Sequence, residues 1–474
     1  MESWILLISF AVLLTGVFVF KKLWLGALLA ITIFLAFKIG FHASIDSVSI
    51  PLASGFLTSL ELTLLLFGAY LFYNTLSSNN HFANFTKTTS NFSSKLSILI
   101  ILCLFIGSFM EGIAGFGIPA MLIAPLLITL DFKPITSIVL PLAANTTAVT
   151  FGALGTPFKV GLGIYESEPT VLFTVLLNSL PALSLPFILA FLYSKTEPAK
   201  VNWIKEWKML LGAGFCFVIP YSLIGLVSVE YPSVVAGIVG LITFVFFFIP
   251  KNESPSFVFW MNTFYPYFLF VLLLFVAKDF LSDYYWKINE RSKPLSFYQP
   301  GIVFIITSIL YLFITQKKQF IFQLYYQSKE TVFKIGKSIA TIILLVCFAQ
   351  LIQKEVSDFA DSYYFELPQI TQIVATPLIG IVGSFITGSA TMSNLLLSSS
   401  VRTSIVSSNY LPILFALLHT GAAVGNAISF QNIVMVKSVV NQPISYGRVL
   451  MHNLFVVVTY VLIVIFTSLI IVNI

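Results

Sequence analysis

Long, uninterrupted apolar runs recur from one end of the chain to the other, the first at residues 4–20 and the last at residues 449–472. About 20 apolar residues allow an α-helix to cross the hydrocarbon core of a membrane. The runs are continuous rather than alternating, which excludes a membrane β-barrel. Only 9% of the 474 residues are charged, too few to cover a soluble domain of this length. The sequence therefore predicts an all-α, polytopic integral membrane protein.

The apolar runs predict about 12–16 membrane segments, some of them broken or re-entrant helices. The polar connections between the runs are linker-sized, so no soluble domain is expected in them. The sequence order predicts four regions: N-terminal helices at 1–95, a first repeat with a broken-helix site at 96–193, central helices and loops at 194–337, and a second repeat with the C-terminal helix at 338–474.

The formal net charge of +6 does not indicate nucleic-acid binding, because membrane proteins retain Lys and Arg in their cytoplasmic loops. With the N-terminus placed outside, most basic residues fall in inner loops and the outer loops collect acids. The expected partners are the lipid bilayer and a small solute, without nucleic acid and with the oligomeric state open. The chain has no metal-ligand spacing, phosphate-binding loop or catalytic elbow. We therefore predict no metal, no cofactor and no enzymatic activity.

Residues 107–163 combine polar and helix-breaking residues within apolar surroundings. Glu111 heads this segment, and an unpaired charge in a membrane span is costly unless it has a role. A broken membrane helix is tolerated where its freed backbone groups face protein or a wet cavity, and helix ends placed there can bind an anion. The alternative is close helix packing, which also uses small and hydroxyl residues. The substrate-binding candidates in this segment are Gly112, Gly115, Gly117, Asn145, Thr146 and Thr147.

The last quarter of the chain repeats this theme. GSFMEG at 107–112 lines up with GSFITG at 383–388, and residues 145–146 line up with residues 419–420. The loop charges make the two copies enter the membrane from opposite sides, which predicts an inverted-topology repeat. The substrate-binding candidates in the second copy are Gly388, Ser389, Thr391, Asn394, Thr420, Ser429 and Gln431.

Three titratable residues in apolar segments are candidates for proton coupling: Glu111, His419 and Glu61. His419 could titrate near neutral pH, or it could be a hydrogen-bonded structural residue. Glu61 lies in a span without the Gly and Pro breaks around Glu111, and both a proton-relay and a structural role remain open for it. We expect backbone, amide and hydroxyl donors to hold the anion, rather than Arg402 or Lys159.

Five stretches together carry a resemblance to the L-lactate permease family, also called lactate/glycolate permeases. They are FMEGIAGFGIPA at 109–120, FKP at 132–134, ANTTAVTFGALGTP at 144–157, FITGSATMSN at 385–394 and AISFQNIVMV at 427–436. The resemblance implies a secondary transporter in the cytoplasmic (inner) membrane of a bacterium. It also implies proton symport of a small 2-hydroxymonocarboxylate such as L-lactate or glycolate, with alternating access to the site.

The second block departs from the family pattern at its charged positions. Ala390 replaces the acid of the family's G-S-D-T stretch, and Asn426 replaces a basic residue. These departures keep two alternatives open. One is a sodium-coupled or other organic anion carrier of the same fold, and the other is a non-transporting membrane scaffold or receptor.

Overall fold

The computed structural model describes residues 2–40, 45–79, 81, 94–115, 117–198, 201–250, 257–281, 283–286, 295–317, 319–364, 367–402 and 410–473. Helices make up almost all of this part of the chain. The first ten are α1 Glu2–Phe18, α2 Leu23–Gly40, α3 Asp46–Ser78, α4 Lys95–Ala114, α5 Ile118–Thr129, α6 Pro134–Ala148, α7 Gly152–Lys159, α8 Glu168–Thr196, α9 Trp203–Gly225 and α10 Pro232–Phe248. The others are α11 Phe257–Leu281, α12 Pro300–Thr315, α13 Phe320–Leu351, α14 Gln353–Tyr364, α15 Gln369–Thr387, α16 Ala390–Arg402, α17 Leu411–Gly425, α18 Phe430–Val440 and α19 Tyr446–Asn473.

Several short elements interrupt this helical pattern. A π-helical turn, Ile100–Ile106, lies within α4, and 3-10 turns occupy Val149–Phe151, Gly163–Tyr165 and Asn426–Ile428. Two short strands, β1 Tyr285–Trp286 and β2 Leu295–Ser296, pair in antiparallel fashion.

Length and hydropathy support the predicted membrane class. Within the described ranges, eleven helices are long and apolar enough to cross a membrane, and four shorter apolar helices accompany them. Together they fall within the predicted number of segments. The chain is therefore an all-α, multi-pass membrane protein, as the sequence predicted.

The chain divides into two compact units. The first comprises Met1–Thr88, Pro255–Val356 and Val434–Gly447. In it α3 packs against α12 and α13, and small residues allow close approach: a side chain on Gly68 would collide with Gly301. Glu61 belongs to this unit, as does an ion pair that joins Lys38 of α2 to the buried Glu355 of α14.

The second unit comprises Thr89–Ser254, Ser357–Ile433 and Arg448–Ile474. Here α4 packs on α10, α8 on α6 and α17, and α15 on α17. The substrate-binding candidates of both polar blocks belong to this unit. The four-region division describes order along the chain and stays a prediction.

The two polar blocks show the same order of elements along the chain. A helix, a glycine break and a shorter helix occur in α4–α5 and again in α15–α16. A helix, a 3-10 turn and a shorter helix follow in α6–α7 and again in α17–α18, before the long helices α8 and α19. This order agrees with an internal repeat. The opposite orientation of the two copies stays a prediction.

Candidate functional site

The first break in the polar block lies between α4 and α5 and includes Gly115 and Gly117. Gly115 has φ of +65° and Gly117 has φ of +73°, values that residues with a Cβ atom rarely adopt. Pro119 lies in the first turn of α5, where its missing N–H leaves no intrahelical bond unmade. Gly112, one of the substrate-binding candidates from the sequence, lies inside α4 rather than in the break, and a Cβ atom there would come 2.6 Å from the backbone nitrogen of Val234. Its small size serves close packing against α10.

A second irregularity interrupts the start of α7. Ala153, Leu154 and Gly155 all have positive φ, at 46°, 54° and 75°. Left-handed backbone costs a residue with a Cβ atom roughly 1–2 kcal/mol. Backbone strain of this kind persists only where the surrounding structure imposes it, and it is concentrated at functional sites.

These irregular segments meet around Glu111. A Cβ atom on Gly115 would lie 2.6 Å from Cβ of Ala153, and one on Gly152 would lie 3.0 Å from Oε1 of Glu111. A Cβ atom on Gly117 would lie 3.2 Å from Oδ1 of Asn432, in the first turn of α18. The break after α4, the strained start of α7 and the start of α18 therefore surround one buried carboxyl group.

Glu111 is held by neutral donors. Its side chain is 2% exposed, and Nδ2 of Asn145 donates to its Oε2 at 2.9 Å. The backbone N–H of Gly117 donates a second hydrogen bond to the carboxyl group. Among the described residues, no basic side chain forms an ion pair with it. Oδ1 of Asn145 is buried and has no hydrogen-bond partner.

A chain of hydrogen bonds links Thr147 of the first polar block to Thr420 of the second through Tyr460 and Asn178, which are not among the sequence candidates. The hydroxyl groups of Thr147 and Tyr460 lie 2.9 Å apart, and that of Tyr460 donates to Oδ1 of Asn178 at 2.7 Å. Nδ2 of Asn178 donates in turn to the hydroxyl of Thr420 at 3.0 Å. All four side chains are buried. Asn178 could have been recognised from the sequence, because an amide side chain alone in an apolar span needs a hydrogen-bond partner.

Thr146, by contrast, is bonded within its own helix. Its hydroxyl donates to the carbonyl oxygen of Ala143 at 2.9 Å. It is therefore a weaker substrate-binding candidate than its neighbour Asn145.

His419 is bonded at both ring nitrogens. Nδ1 lies 2.7 Å from Nδ2 of Asn394, and Nε2 lies 2.9 Å from the carbonyl oxygen of Thr150. An amide nitrogen donates and a carbonyl accepts, so this pattern assigns a neutral ring that carries its proton on Nε2. Asn394 also donates to the carbonyl oxygen of Pro157 at 3.0 Å. His419 and Asn394 therefore tie α16 and α17 to the backbone around α7.

The remaining candidates of the second block lie at helix ends. Gly388, with φ of +71°, ends α15 against the side chain of Gln431, which donates to the carbonyl oxygen of Ile386 at 3.4 Å. The hydroxyls of Ser389 and Ser429 accept hydrogen bonds from backbone N–H groups at the starts of α16 and α18. Thr391 is half-buried.

The two positions that depart from the family pattern have neutral surroundings. Ala390 is buried in a small apolar cluster with Val149, Ala422 and Ala423. Asn426 is hydrogen-bonded to Asn432.

Three other sequence candidates are not brought to this site by any described contact. Glu61, in the first unit, accepts a hydrogen bond from Nε2 of Gln299 at 3.3 Å. Lys159 forms an ion pair with Glu230, and both side chains remain partly exposed. The side chain of Arg402 lies outside the described residues.

Comparison with known proteins gives relatives of similar length. A protein of Haemophilus influenzae is 25% identical over 482 residues, which cover 89% of this chain and 88% of that protein. The L-lactate permease of Streptococcus iniae is 24% identical over 76% of this chain and 81% of its own length. The glycolate permease of Escherichia coli is 30% identical over 34% of this chain and 29% of its own length.

Among solved structures, the YdaH transporter of Alcanivorax borkumensis aligns over 90% of this chain and 88% of its own, with 12% identity and a TM-score of 0.33. The family model for L-lactate permease matches residues 3–257 and 286–474. That match spans nearly the whole chain, including both polar blocks and all the helices that carry them. The protein therefore belongs to the L-lactate permease family and is a multi-pass permease of the cytoplasmic membrane.

Proposed function

We propose that this permease is a secondary active transporter that moves a small 2-hydroxymonocarboxylate, such as L-lactate or glycolate, together with a proton. Glu111 is the proton-carrying group, and the carrier works by alternating access. The observation that carries the proposal is the environment of Glu111: a buried carboxyl group with neutral donors, enclosed by broken helices of both polar blocks. A membrane-buried carboxyl group without a cationic partner is typical of proton-coupled carriers.

The same place offers donors for an anion. The helices α5 and α18 begin beside Glu111, and the dipole at a helix N-terminus favours negative charge. Asn145 adds a side-chain amide. A carboxylate is an acceptor-only group, so such donors can bind it without a buried Arg.

The proposal needs no cofactor, because the coupling ion supplies the driving force. The permeases of Streptococcus iniae and Escherichia coli are named for lactate and glycolate, which support this substrate class. Ala390 and Asn426 leave the second block neutral, so sodium coupling and a non-transporting scaffold are the outcomes against which the proposal is tested.

The test is uptake of labelled L-lactate and glycolate into proteoliposomes under an imposed proton gradient, a sodium gradient or no gradient. We expect accumulation with the proton gradient alone, and competition by 2-hydroxy acids but not by acetate. Glu111→Gln removes the proton-carrying group, so its gradient-driven accumulation should fall at least tenfold. Glu168→Gln, at the exposed start of α8, is the matched control and should accumulate substrate like the wild type.

Three results would contradict the proposal. Accumulation driven by sodium would identify a different coupling ion. Absence of uptake for every 2-hydroxy acid would support the scaffold. Wild-type pH dependence in Glu111→Gln would remove Glu111 from the coupling step.

A further inference from the structure

The side-chain amide of Asn145 is paired at one end only. Nδ2 donates to Oε2 of Glu111 at 2.9 Å, whereas Oδ1 is buried and has no partner. The residue is 7% exposed, so bulk water does not satisfy that oxygen. A buried acceptor without a hydrogen bond destabilises the structure, and such groups in native structures call for an explanation.

The direction of the hydrogen bond from Asn145 to Glu111 indicates which protonation state of Glu111 it fits. An ionised carboxylate only accepts hydrogen bonds, so it requires the Nδ2 end of the amide. A protonated carboxyl group has an O–H that requires an acceptor. The backbone N–H of Gly117 is a donor and cannot provide one. Oδ1 of Asn145 can do so after the amide rotates by 180°, because the two ends of an amide have nearly the same shape.

We propose that Asn145 is a positioning residue that makes anion binding depend on the proton carried by Glu111. This inference rests on the proposed function. With Glu111 ionised, the amide donates to it and presents an unpaired acceptor, which repels a carboxylate. With Glu111 protonated, the amide turns, accepts from the Glu111 O–H and presents Nδ2 as a donor to the substrate. The proton therefore binds before the anion, and the orphaned oxygen marks where the substrate carboxylate will lie.

Few other charges can exert this control. The helices α5, α6 and α10, which pack against α4, carry no Asp, Glu, His, Lys or Arg. Lys159 of α7 is paired with Glu230 at a partly exposed end. His419 contacts the neighbouring 3-10 turn through the carbonyl oxygen of Thr150, and α4 itself also carries Lys95 and Cys103. The helix α8, which contacts the π-helical turn of α4, carries Glu168 and Lys195 at its two exposed ends.

The test is the dissociation constant of L-lactate for the purified transporter, measured by calorimetry across a pH series. Because each anion binds together with one proton, the wild-type affinity should fall by about tenfold per pH unit in the range where Glu111 is mostly ionised. Glu111→Gln offers both an amide donor and an acceptor to Asn145, so its affinity should be independent of pH and close to the wild-type value at low pH. Asn145→Leu keeps the branching at Cγ but loses both the donor and the acceptor, so its affinity should be at least tenfold weaker at low pH and nearly independent of pH.

Asn145→Gln keeps the amide and should restore part of the pH dependence, which a purely structural role of Asn145 would not explain. Ser184→Ala is the control, because that hydroxyl is bonded to the carbonyl oxygen of Pro181 within α8. A full wild-type pH slope in Asn145→Leu, with proton-driven uptake intact, overturns this inference and leaves the proposed function standing. A wild-type affinity that is equal at every pH overturns both the inference and proton coupling.

Discussion

The hydroxyl of Tyr460 lies at the centre of the hydrogen-bond chain between the two polar blocks, and Tyr460→Phe removes it without changing the ring. The hydroxyl lies 2.9 Å from that of Thr147 and donates to Asn178 at 2.7 Å. All three side chains are buried, so water does not readily replace the lost partner. The substitution therefore removes two hydrogen bonds at once.

The size of the effect follows from those two bonds. Side-chain hydrogen bonds between membrane helices contribute about 0.6 kcal/mol each on average, which gives about 1 kcal/mol for the pair. Leaving a buried polar group unsatisfied costs about 1–3 kcal/mol, and Oδ1 of Asn178 loses its donor. We expect Tyr460→Phe to lower the free energy of unfolding by about 1–3 kcal/mol.

Equilibrium unfolding in detergent micelles measures this difference. Tyr193→Phe is the matched control, because Tyr193 is a buried tyrosine of α8 outside the hydrogen-bond chain. A double-mutant cycle with Asn178→Leu should give a coupling energy of at least about 0.5 kcal/mol, as expected for residues in direct contact. Equal stabilities of Tyr460→Phe and Tyr193→Phe, or purely additive effects in the cycle, would refute the reasoning.

Two further predictions concern the helix break and the orientation. Gly388→Ala places a Cβ atom against the Gln431 side chain at φ of +71°, so the free energy of unfolding should fall by at least roughly 1–2 kcal/mol, the cost of left-handed backbone. Gly336→Ala, at an open position, should not destabilise the protein, and equal melting temperatures of the two variants would contradict the backbone conformation assigned to Gly388. Single cysteines at Glu168 and Asp358, both exposed, should react with impermeant reagents applied outside intact cells; protection at either site would overturn the predicted orientation.

The class of fold and the position of Glu111 beside a glycine break can both be predicted from the sequence, because both depend on local signals. Apolar runs of membrane length are visible without any knowledge of contacts. Glu111 was recognised because a carboxyl group is rare within such a run, and Gly115 and Gly117 because clustered glycines break helices. The start of the break is harder to predict, since Gly112 belongs to the same cluster of glycines but lies inside α4 and serves helix packing.

The partners within the site were harder to predict because they come from distant parts of the chain. Asn178 and Tyr460 are separated by 282 positions, and neither belongs to a cluster of polar residues. Asn432 was missed for another reason, because its contact with Gly117 depends on how α18 begins. Polar residues in apolar helices can be recognised as needing partners, but the identity of the partner requires the packing of the helices.

The departures from the family pattern raised the question of which residue could replace the charges missing from the second block. His419 has both ring nitrogens in hydrogen bonds that fit its neutral form. Lys159 already has Glu230 as its counter-ion. Ala390 fills an apolar cluster in which an ionised side chain would be buried without a partner. Among the described residues of this unit, Glu111 is thus the buried carboxyl group to which a proton can be added without breaking an ion pair. A single such group suits a monoanion that enters with one proton, because the proton and the monoanion together move no net charge across the membrane.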